Sequence, residues 1–241
     1  MKIYKARDYN HMSQIAANII AAQITLKPNS VLGLATGGTP VGTYKQLIEK
    51  CKSGDLCFSE VTSINLDEYC GLDSDNSQSY AYFMNDNLFN HVNIKPENVN
   101  IPNGLAADAI AECNRYDDVI AENPIDIQLL GIGMNGHIGF NEPDTELRLR
   151  AHHVTLAQAT IDANKRYFES EDEVPKTAYT MGMGQIMHSK KIVLLASGEG
   201  KAEILHKALA GPLTTDVPAS LLQMHRDLVI VADTAALKLF H

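Results

Sequence analysis

No apolar run in this chain is long enough to cross a bilayer. The longest, such as Ile192 to Ala196 and Leu228 to Ala232, fall far short of the roughly 20 residues that a spanning helix needs. The opening MKIYKARDYN has no apolar core, so it does not read as a secretory signal. The four cysteines, Cys51, Cys57, Cys70 and Cys113, never stand as CxxC. With no export signal they are expected to be reduced thiols in a soluble, cytoplasmic protein, with no zinc among them. Positive charge is also short. Twenty Lys and Arg against 29 Asp and Glu leave a formal charge of −9, the opposite of the surplus used to bind nucleic acid or an anionic membrane. A small anionic ligand stays open, because it responds to a few local charges. Linkers rich in Gly and Ser, repeats and low-complexity tracts are missing too, so residues 1–241 are read as one domain.

What the chain does have is a series of short β-branched runs, each followed by a turn and a segment of helical spacing. Val31 to Ala35 leads into Thr36-Gly37-Gly38-Thr39-Pro40, and Val61 to Leu66 into Asp67-Glu68-Tyr69. Ile125 to Ile132 runs into Gly133 to Phe140, Ile192 to Ala196 into Ser197 to Lys201, and Leu228 to Ala232 closes the series. Runs this short and continuous suit strands buried on both faces. Between them, residues 8–25 carry Ile15, Ile19, Ala22 and Ile24, and Ala202 to Ala210 stops at Gly211-Pro212. Tyr44, Leu47 and Ile48 form a stripe behind Thr39 and Pro40, which read as an N-cap and first helical residue. The alternation predicts an α/β fold, an open and mainly parallel Rossmann-like sheet with helices on both faces.

In such sheets ligands bind outside the carboxyl ends of the strands, where this chain's glycine and polar clusters fall. Thr36 to Thr39 is either a tight, well-capped βα turn or an anion cradle, with two glycines for close approach and free N–H groups at a helix start. Ser197-Gly198-Glu199-Gly200-Lys201 has the same form. Its lysine opposes the helix dipole, which implies a compensating anion. Two such loops favour a phosphorylated substrate. Gly131-Ile132-Gly133-Met134-Asn135-Gly136 matches GxGxxG, yet the glycine and proline that follow break the helix a dinucleotide site requires. His137 sits among glycines with Glu142 five residues on; a carboxylate can fix an imidazole's tautomer and suit it to acid/base work. The alternative is a turn histidine satisfied by backbone. Asp67-Glu68 offers either a helix N-cap or a carboxylate aimed into the crevice. Tyr69 and Tyr80 to Phe83 read most simply as core packing.

Taken together, LGLATGGTP (32–40), NLDEY (65–69), SYAYFM (79–84) and GIGMNGHIGFNEP (131–143) resemble the glucosamine-6-phosphate deaminase family over nearly the whole chain. The resemblance implies conversion of glucosamine 6-phosphate and water to fructose 6-phosphate and ammonia, a hydrolase of amino sugar metabolism with no metal or organic cofactor. By the same resemblance, Asp67 is the base that moves a proton from C2 to C1. His137 opens the sugar ring, and Glu142 orients and polarises it. Thr36, Gly37, Gly38 and Thr39 cradle the phosphate, with Lys201 and Arg166 as its charge partners. Asn135 stands where some members have an aspartate, so an Asp–His–Glu triad is not expected. The regulated hexameric members use basic residues after the NEP turn and a longer tail. Here residues 147–154 read LRLRAHHV and the chain closes at Phe240-His241, which argues against N-acetylglucosamine 6-phosphate activation and for a monomer or small homo-oligomer. The competing readings are a 6-phosphogluconolactonase-type hydrolase, which shares the fold and phosphate loop, and a sugar-phosphate sensor. The sensor would normally carry a DNA-binding segment, for which the sequence shows no spare stretch.

Overall fold

A computed structural model of the protein describes residues 1–156, 158, 161 and 174–240. Its centre is a seven-stranded sheet in which every pairing is parallel. The strands are β1 (Lys2–Ala6), β2 (Val31–Leu34), β3 (Thr62–Asn65), β5 (Val99–Asn100), β6 (Ile127–Leu130), β9 (Lys191–Ala196) and β10 (Leu228–Asp233), in the order β1-β10-β9-β6-β2-β3-β5. The α/β expectation is met, down to the bounds of β10 within one residue.

Strand alternation divides the core in two. Ile192, Leu194 and Ile230 pack to one face with helices α4 (Ala109–Glu122), α5 (Met183–Met187) and α6 (Ala202–Ala210). Val193, Leu195 and Val231 pack to the other, with α1 (Tyr9–Leu26), α2 (Val41–Lys52) and α3 (Tyr80–Asn87). Each such side chain, 1% exposed or less, contributes about 1.5–3 kcal/mol by leaving water. Asp8 caps α1 through the His11 N–H, and Asp108 caps α4 through those of Ile110 and Ala111.

Three features decide, correct or extend the sequence reading. Asp67 does not cap a helix: residues Asp67–Tyr69 form a strand, β4, which leaves the main sheet at Leu66. It pairs antiparallel with β8 (Thr177–Thr180), which pairs in turn with β7 (His152–Thr155). This small sheet gave no signal of its own in the sequence, because Asp-Glu-Tyr is too short to show alternation. Second, Thr39 does not cap α2. Pro40 is the cap residue and no cap side chain bonds the first turn; the Tyr9 hydroxyl reaches the Gly42 N–H instead, at 2.8 Å. Third, the chain runs from β2 outward through β3 and β5, then returns to place β6 on the other side of β2. The loops after β2 and β6 therefore diverge at the switch point of the sheet, where a crevice opens.

Candidate active site

A cavity of about 760 Å³ occupies that crevice. It is lined by Thr36 to Thr39 after β2, Asp67 on β4, Tyr80 on α3, Gly131 to Asn135 and His137 after β6, and Lys201 before α6. Three separate loops and the small sheet thus bring the candidates together.

The Thr36–Thr39 loop turns at Gly37, whose φ of 89° is open to glycine and strained for other residues. Among the described residues its four backbone N–H groups take no partner. Unpaired donors at a helix start are an anion site. Lys201 adds charge: its Nζ donates to the Ile132 carbonyl at 2.8 Å and lines the same cavity. Burial lowers the Lys201 pKa, a cost that a bound anion reverses. The rest of the Ser197–Lys201 loop does not act as an anion cradle. The chain supplies its own anion there, because the Asp233 carboxylate accepts from the Ser197 hydroxyl and the Gly198 N–H. Lys201 is the loop's contribution to the cavity. Arg166 lies outside the described residues.

The two acid/base candidates are held in opposite ways. His137 has its Nδ1 3.1 Å and 3.2 Å from the two oxygens of Glu142. Asn135 donates to Glu142 at 2.6 Å and accepts the His137 N–H at 3.2 Å. A carboxylate only accepts, so this contact assigns the ring proton to Nδ1 and leaves Nε2 as the exchanging nitrogen. A side chain at Gly133 would collide with that ring, which accounts for the glycine. Glu142 stands behind His137 and does not line the cavity.

Asp67 has no such support. It is 6% exposed, and among the described residues nothing hydrogen-bonds to its carboxylate. Burial and then the nearby Glu68 charge push its pKa up to about 8. Gly139, with φ 59°, leaves the space beside it; a Cβ there would sit 3.3 Å from the carboxylate and 3.0 Å from the Thr180 hydroxyl. Tyr69, Tyr80 and Phe140 close one wall, with Tyr80 and Phe140 stacked at 6.0 Å. These aromatics do more than fill core, since all three line the cavity. Ser79 caps α3 and so sets the start of the helix that carries Tyr80. Among the described residues no three His, Cys, Asp or Glu gather as a metal site, and no helix is long and apolar enough to cross a membrane.

Comparison with known proteins agrees with this architecture. The chain is 56% identical over 232 residues to a glucosamine-6-phosphate deaminase of Lachnoclostridium phytofermentans, covering 96% of this chain and 98% of that one. It is 54% identical over 237 residues to the deaminase of Clostridioides difficile strain 630, covering 98% and 95%. A solved monomeric glucosamine-6-phosphate deaminase superposes with a TM-score of 0.96 at 51% identity, over 99% of this chain and all of that one. The 6-phosphogluconolactonase of Trypanosoma brucei shares the fold at a TM-score of 0.78 and 16% identity, over 100% and 98%. Residues 8–231 match the sequence model of the glucosamine-6-phosphate isomerases/6-phosphogluconolactonase family, and the chain belongs to that family.

Proposed function

We propose that this protein deaminates glucosamine 6-phosphate to fructose 6-phosphate and ammonia, through an aldose–ketose isomerisation. The observation that carries the reading is the pairing, in one cavity, of a bare buried carboxylate with an imidazole fixed by a second carboxylate. Ester hydrolysis of a lactone calls for one base and a water. Isomerisation calls for one group to work on C–H bonds and another on O–H bonds, which is the division found here.

The substrate phosphate docks on the Thr36–Thr39 N–H groups, with Lys201 and Arg166 as counter-charges. Its binding energy positions carbons several bonds away. His137 Nε2 carries a proton from O1 to O5 and the ring opens to the aldehyde. The C2 ammonium then lies near Asp67 and lowers its proton affinity, so the carboxylate ionises where it is needed. Asp67 takes the C2 proton, giving an enolamine across C1 and C2, and returns it to C1. The product imine at C2 adds water and releases ammonia. Water enters only in this last step. The reaction is hydrolytic in its balance and isomerase-like in its proton transfers.

The protein works as a cytoplasmic monomer without N-acetylglucosamine 6-phosphate activation. The test is release of ammonia and fructose 6-phosphate from glucosamine 6-phosphate, with and without the N-acetyl sugar, beside light scattering for mass. Stoichiometric release that ignores the N-acetyl sugar is expected. No release, with hydrolysis of 6-phosphogluconolactone, would overturn the reading in favour of the lactonase.

A further inference from the structure

Successive residues of a strand face opposite ways. With Asp67 turned into the cavity, Glu68 on β4 turns away from it and is 2% exposed. Its carboxylate accepts three backbone hydrogen bonds, each 2.8 Å, from the N–H groups of Tyr69, Tyr80 and Ala81. Tyr80 and Ala81 are the first two residues of α3, and the Ser79 hydroxyl takes the N–H of Tyr82. Glu68 therefore satisfies two of the four donors that a helix start leaves open, from another element twelve residues back. Removing it frees the end of α3 that carries Tyr80 and Phe83, both in the cavity wall.

We propose that Glu68 is a positioning residue of the active site: its carboxylate pins the first turn of α3 against β4, setting the Tyr80 wall, and its charge strengthens the adjacent Asp67 as a base. Burial pushes the Glu68 pKa up, and the three N–H groups pull the other way. Tyr69 follows Glu68 on β4, its hydroxyl 3.3 Å from that of Tyr80; the ionisable groups around the pair beyond β4 are Tyr80 on α3, Tyr116 on α4, Tyr179 on β8 and Cys70. Burial raises the pKa of each, so all are neutral at pH 7 and none offers Asp67 a positive partner. Lys201 and His137 line the same cavity from the opposite loops.

The inference rests on the catalytic role given to Asp67, and its test separates the two. In Glu68→Gln the charge is gone and the length is kept. Asp67, followed by carbon-13 NMR of its carboxyl and assigned with Asp67→Asn, should titrate about one pH unit lower. The acid limb of kcat/KM should move with it. In Glu68→Asp the charge stays while the oxygens withdraw from α3; the acid limb should hold and KM should rise about tenfold, the scale of one lost charge-assisted hydrogen bond. An unmoved Asp67 titration in the first variant, or an unmoved KM in the second, overturns the proposal. If Glu68→Gln does not fold, the Glu68→Asp split decides alone. A protein whose Asp67 titration shifts as stated but which releases no ammonia refutes the deaminase reading and leaves this inference standing.

Discussion

Asp67 in the cavity wall and Glu142 behind His137 are two carboxylates with opposite surroundings. Glu142 accepts from Asn135 and lies against the His137 ring. Asp67 is buried with no donor on it among the described residues and a carboxylate neighbour behind it, which pushes its pKa up to about 8. In the proposed mechanism the first arrangement serves as a fixed support and the second as a reactive base. A carboxylate wrapped in hydrogen bonds is stable and weakly basic; one stripped of them is strained in free energy and strongly basic. In the proposed mechanism Asp67 acts on the substrate directly and Glu142 acts through His137.

Substitutions can pull this contrast apart. The largest effect is expected from Asp67→Asn, which should lower turnover by about 10² to 10⁴-fold, stop exchange of the C2 proton with solvent, and leave substrate binding in place. The same change should stabilise the fold. Asp67's folded pKa lies above its unfolded one, so its contribution is intact below about pH 4 and is lost as pH rises through about 8. The thermal midpoint of Asp67→Asn should exceed that of the parent at pH 8 and converge with it near pH 4; equal midpoints throughout would show that Asp67 is not strained. Next comes Glu142→Gln, expected to slow ring opening by about 10- to 100-fold as His137 loses its fixed tautomer. Supplying the open-chain form of the substrate should restore much of the rate, and a defect that persists would place Glu142 elsewhere in the cycle. Lys201→Ala should raise KM by about 10- to 100-fold with kcat largely kept, read from initial rates; an unchanged KM removes it from the phosphate site. The smallest effect belongs to Asn135→Asp, which replaces a donor to Glu142 by a like charge. The acid limb of the rate profile should rise by less than about one pH unit, and a limb that falls would mean that the added charge does not act on the group titrating there.

Much of this was legible in the sequence, for identifiable reasons. The parallel sheet announced itself because strands buried on both faces must be apolar at every position, as in Ile192 to Ala196. His137 and Glu142 stood out because an imidazole among glycines at a strand end has few structural reasons to be there. Asp67 was ambiguous, since an acid after a buried strand serves equally as a cap, and only the small sheet decides. The Ser197 loop misled for a tertiary reason: the anion it binds is Asp233, a partner 36 residues on that local pattern does not reveal. The role of Glu68 was hidden in the same way, for its partners begin α3 twelve residues later.

The loop after β2 ends in four donors with no partner among the described residues, and α2 starts without a side-chain cap. Under the proposed docking of the substrate phosphate on those groups, the ligand finishes the structure as well as entering the reaction. Ligand at a hundred times its Kd adds about 2.7 kcal/mol of stability to any native state it selects, enough to alter how often the chain opens to a protease. Under that docking, resistance to proteolysis should rise as the sugar phosphate saturates the protein.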